Sequence, residues 1–159
     1  MKLIFSRKIF KFTVMAYLLS GVNFTYAHSM VAQHGTLNFI DKHVFLLLSL
    51  PVSVFQEIDD NKDGHISKVE FNTHRKEAGE KVKDNIYLSI KENKLIIEGL
   101  LLSPSIAHTK DVKYIDQVTV MGRYTLPDQV SNINFSIKLF SQNEAQQVYE
   151  LTATNKKNP

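Results

Sequence analysis

"HVFLLLSLPVSVFQEIDDNKDGHISKVE", residues 43–70, changes its period halfway. Up to Leu50 the pattern is that of a strand. Val44, Leu46, Leu48 and Leu50 share one face, while Phe45 and Leu47 make the other face partly apolar. Pro51 has no N–H for a ladder and ends it. From Ser53 to Ile58 the spacing becomes helical, with Val54, Phe55 and Ile58 on one side. An acidic segment with a central glycine follows. At Ser67 a second helix begins, because a hydroxyl at the cap position with Glu70 three residues on is the capping-box pattern. The stretch therefore predicts a β protein interrupted once by helix.

The neighbouring sequence agrees. "HGTLNFI" (34–40) precedes "DK" at 41–42, and with the run from His43 it predicts a hairpin. "SKVEFNTHRKEAGEKVKD" (67–84) reads as one helix with a thin apolar stripe of Phe71, Ala78 and Val82 and otherwise solvated faces. Period two then returns. "IYLSIK" (86–91) and "LIIEGLLL" (95–102) flank "ENK" as a second predicted hairpin. "YIDQVTVMGRYTL" (114–126) follows. "INFSIKLF" (133–140) puts Ile133, Phe135, Ile137 and Leu139 inside and Asn134, Ser136 and Lys138 outside. "QVYELTAT" (147–154) is the last run, and "NKKNP" reads as a frayed tail. About seven strands with turn signals between them predict a mainly β, β-sandwich-like fold with one inserted helix-loop-helix at 52–84.

The chain has 159 residues, enough for one domain with its own core. Residues 1–27 are set apart. Lys2, Arg7, Lys8 and Lys11 precede an apolar run from Phe12 to Val22, and Thr25 and Ala27 close it. That is the layout of a secretory signal peptide cleaved after Ala27. The rival is an uncleaved anchor, for which the run is short. Residues 28–159 then form one β-rich domain, exported to the periplasm or medium and without a later membrane span. Four of the 19 basic residues and none of the 16 acidic ones lie before position 28, which leaves the remainder at −1. No basic stripe remains for nucleic acid. Cysteine is absent. An exported domain of this kind cannot use disulfides, which gives a bound ion more importance.

The acidic segment has a spacing that charge alone does not require. With Asp59 as the first position, Asn61 is third, Asp63 fifth, Gly64 sixth, His65 seventh, Ser67 ninth and Glu70 twelfth. Calcium takes six to eight oxygens in loose geometry, and alternate side chains of a tight loop converge on one point. A glycine at the sixth position permits the sharp turn at positive φ. Asp59, Asn61, Asp63 and Glu70 offer side-chain oxygens, His65 offers its backbone carbonyl, and Ser67 acts through a water. Over 52–82 the segment resembles an EF-hand. The resemblance implies one Ca²⁺ held by these residues, with Glu70 binding through both oxygens and Ile66 making the apolar contact at the eighth position.

EF-hand sensors carry such loops in pairs, and there is no second loop here. His74 and Arg75 do not suit an opening apolar groove. Ile66 and Phe71 must be covered by the β domain or by a second copy. The expectation is a structural calcium site with an affinity on the order of 10⁻⁶ to 10⁻⁴ M. The arrangement is also similar to exported bacterial proteins with one EF-hand in a β-rich remainder, and to exported regions of membrane proteins linked to metal uptake. No activity comes with that likeness.

Two alternatives stand beside it. Cleavage after Ala27 would leave His28 as an amino-terminal histidine, whose amine and imidazole suit copper or nickel, with His34 or His43 completing the site. Calcium could also stiffen an adhesion or interaction module that takes a protein partner or forms a homodimer. His65, His74 and Asp60 read as solvated. No catalytic motif is present: the chain has no G-x-S-x-G, no H-E-x-x-H, no phosphate-binding loop and no cysteine nucleophile. The reading is non-enzymatic.

Overall fold

The structure, a computed structural model, describes residues 33–106, 114–128, 132–143 and 146–156. The signal segment, its cleavage after Ala27, and His28 lie outside these residues. Among the described residues, eight strands form two sheets. β1 (Gln33–Ile40) and β2 (His43–Pro51) make the predicted hairpin, with Asp41 at φ 52° in its turn. Asp tolerates that left-handed conformation better than most residues. β6 (Ile115–Thr125) pairs with β2, and β5 (Glu98–Ile106) pairs with β6. β8 (Tyr149–Lys156) joins β1 in parallel, so the larger sheet runs β5-β6-β2-β1-β8. β3 (Ile86–Ile90) lies between β4 (Asn93–Lys94) and β7 (Ile133–Ile137) in the smaller sheet.

The inner face of the larger sheet is the one the sequence marks. Val44, Leu46, Leu48 and Leu50 are buried, and Leu48 and Leu50 lie opposite Val120 and Val118. The smaller sheet adds Ile86 and Leu88 to the same core. Tyr124 is wholly buried, and its hydroxyl donates to the Ile86 carbonyl at 3.3 Å, tying one sheet to the other. Burial raises the Tyr124 phenol pKa well above the ordinary tyrosine value.

The helical insertion closes the core. Val52–Ile58 is a 3-10 segment that buries Val54, Phe55 and Ile58. The predicted single helix is two, α1 (Lys68–Thr73) and α2 (Arg75–Asn85), with a break at His74 (φ −101°, ψ 22°). The Thr73 hydroxyl donates back to the Val69 carbonyl, a bond that bends helices, and the His74 ring is drawn toward Asp60. Phe71, Ala78 and Val82 are buried as the stripe requires, and Phe71 meets Phe55 edge-on at 6.1 Å.

Three expectations change. "LIIEGLLL" does not return along β3. Asn93 and Lys94 pair with it and the Leu95 N–H still donates to the Leu88 carbonyl at 2.8 Å, but from Glu98 the chain crosses to β6 in the other sheet. Gly99 (φ 59°) and a register shift between Glu98 and Leu101 mark the crossing. Among the described residues the strands number eight because this run is divided. Asn155 and Lys156, assigned to the tail, continue β8 beside β1.

Candidate functional site

The segment 59–70 folds as a self-bonded loop between the 3-10 segment and α1. Side chains at alternate positions each hold a backbone N–H. Asp59 Oδ2 accepts from Gly64 at 2.9 Å, Asn61 Oδ1 from Asp63 at 2.9 Å, and Asp63 Oδ1 from His65 at 2.8 Å. Gly64 sits at φ +81°, the turn its position requires, and a Cβ there would meet nothing within 4 Å. Lys62 also takes positive φ, at 58°, a conformation its residue type does not announce.

Glu70 closes the loop from α1. Its Oε1 accepts from Asp60 and Asn61 at 3.2 and 3.4 Å, and its Oε2 accepts from Ser67 at 2.8 Å. The Ser67 hydroxyl accepts the Glu70 N–H at 3.2 Å, completing the capping box. Glu70 is 8% exposed. The Ser67 backbone N–H and then the Ser67 hydroxyl hold its pKa below the ordinary glutamate value, against the opposing pull of burial. With Glu70 turned to these N–H groups, no three acidic or imidazole side chains among the described residues stand together as a ready metal cage. One oxygen differs from the rest: Asp59 Oδ1 is buried and has no hydrogen-bond donor. The donors are all oxygens of the kind a hard cation takes, and this one is free to accept it.

The loop is fastened to the larger sheet. The Ile115 N–H donates to the Ile66 carbonyl at 2.9 Å, and Ser67 bridges Tyr114 in antiparallel fashion. Ile66 and Ile115 are 3% and 4% exposed, so the β domain supplies the cover that Ile66 needs. His65 is exposed, as expected, and its ring stacks on Tyr114 at 4.4 Å with the rings 8° apart. Asp60 is exposed, as expected, while His74, expected to be solvated, is half-buried and meets it at 3.0 Å. Tyr114 and Ile115 were missed as site neighbours. The available signal was a buried-type isoleucine in a polar loop, which needs a partner strand.

Of the histidines in the copper reading, His28 lies outside the described residues, and His34 and His43 are apart from each other. Gly35 lies opposite Leu48 and Ile40 opposite His43, so His34 and His43 stand at opposite ends of the hairpin. His34 is 3.5 Å from Glu150, and His43 Nδ1 is 3.3 Å from the Thr125 hydroxyl. No helix among the described residues is long and apolar enough to cross a membrane. Comparison with protein families, curated proteins and solved structures finds no match for this chain.

Proposed function

We propose that the loop Asp59–Glu70 binds one Ca²⁺ through Asp59, Asn61, Asp63, the His65 carbonyl, Ser67 by way of a water, and Glu70. The protein is then an exported, non-enzymatic calcium-binding protein in which the ion is mainly structural. Asp59 Oδ1 carries the reading. An anionic oxygen buried without a donor is costly, and a cation in the loop removes that cost. The side chains at 59, 61 and 63, pinned by backbone N–H groups, support it because little ordering is left for binding to impose. The fastening of Ile66 to Ile115 supports a structural role, since it ties loop geometry to the long strand β6.

The test is a calorimetric calcium titration of the purified protein and of Glu70→Gln. The expected result is one ion per chain at a Kd on the order of 10⁻⁶ to 10⁻⁴ M, with binding lost in the variant. A wild-type protein that is folded yet binds no calcium would end the proposal.

A further inference from the structure

The larger sheet has two edges, and they differ. β5 is blunted: its register shifts between Glu98 and Leu101, Pro104 has no N–H, and Arg75 of α2 donates to the Leu102 carbonyl. β8 carries none of these devices. It follows β1 without a shift from Gln33↔Tyr149 to Ile40↔Lys156, and it contains neither proline nor glycine. Among the described residues nothing pairs with its outer side. Its polar side chains lean back onto the sheet, Glu150 toward His34 and the Thr154 hydroxyl to Asn38. Leu151 stays 42% exposed on this strand, and Val148 just before it is 61% exposed. A straight, unguarded edge is a template for another strand.

We propose that the partner is a second copy of this chain, joined β8 to β8 in antiparallel fashion about a two-fold axis at Ala153. That register is self-complementary. It sets Glu150 opposite Lys156, Thr152 opposite Thr154 and Leu151 opposite Asn155, so the acidic position meets the basic one. A parallel in-register pairing would set Glu150 against Glu150, a like-charge contact that destabilises. The antiparallel pairing closes under a two-fold and does not propagate. It merges two five-stranded sheets into one and removes an open edge from each. The contact lies on the opposite edge of the sheet from β5 and involves none of the loop residues, so it does not depend on calcium.

The sequence contains no cysteine, which allows a direct test. Facing residues of an antiparallel pair have Cα atoms about 4.5 to 5.5 Å apart, within reach of a disulfide. The protein carrying Ala153→Cys should cross-link to a dimer under mild oxidation. The protein carrying Leu151→Cys, two positions off the axis in each copy, should not. In sedimentation runs with chelator, the wild type should show a monomer–dimer equilibrium, and Ala153→Glu should sediment as a monomer whose melting temperature matches that of the wild type at dilutions where the wild type is also monomeric. A wild type that stays monomeric across the concentration range would overturn the proposal. So would a dimer indifferent to Ala153→Glu, or equal cross-linking at both positions.

Discussion

Glu70 holds three backbone N–H groups and caps α1, so its charge matters before any ion arrives. Its native pKa lies below the ordinary glutamate value, so the unfolded chain binds its proton more readily than the folded one. The resulting stabilisation is fully present above the unfolded pKa and is lost as pH falls through the lower, native one. In calcium-free buffer, acid unfolding of the wild type should therefore show a loss over that window. Glu70→Gln, which cannot titrate, should lack that part of the loss, as denaturant melts from pH 6 to 2 would record. Gly64 gives a separate prediction. A Cβ fits the space, so Gly64→Ala costs only backbone strain, about 1–2 kcal/mol in urea unfolding. A third concerns Gln33, which is 2% exposed and whose buried amide has neither end paired among the described residues. Gln33→Met removes the unpaired polar atoms at similar length and should stabilise the protein by about 1–3 kcal/mol, read from the same melts.

The elements show how much a period can and cannot say. Val44 to Leu50 announced their strand because one face is buried and the other is not, whereas the run from Ile133 forms a strand only to Ile137 and buries neither face fully. The Ser67–Glu70 capping box fixed the start of α1 for an equally local reason. Ser67→Ala should cost about 0.5–2 kcal/mol and lower helical ellipticity, since it leaves the Glu70 N–H without its acceptor. The spacing of the six loop positions was legible too, since it rests on residue types alone. The break at His74 was not, since no helical period shows that its ring meets Asp60, fourteen positions away in the chain. The desertion of β4 for β6 was not legible either. An apolar run such as "LIIEGLLL" suits any neighbour, and only Gly99 hinted that the chain would turn. The parallel partnership of β8 with β1 joins the two ends of the described chain, and no local pattern encodes such a pairing.

On the scale of the molecule, the loop, helices and both sheets meet in one core, and β6 is the strand through which they communicate. Its first residue holds the Ile66 carbonyl, Val118 and Val120 face β2, and Tyr124 reaches Ile86 of the smaller sheet. Phe71 is wholly buried beside Phe55, so α1 cannot move away from the core without opening it. Phe71→Ala should cost about 3–5 kcal/mol and weaken calcium binding as well, because Glu70 rides on the same turn. An ion held only by the folded loop stabilises the whole domain by RT ln(1 + [L]/Kd), about 2.7 kcal/mol at a hundredfold excess over Kd. If binding acts through the Ile66–Ile115 bond, amide exchange should slow at Ile115 and along β6 when calcium is added, and by the same factor as the global unfolding constant falls. Protection confined to residues 59–70 would mean that the ion orders its own loop and leaves the sheets unaffected. Protection extending through β6 would make the single loop the staple of a cysteine-free domain.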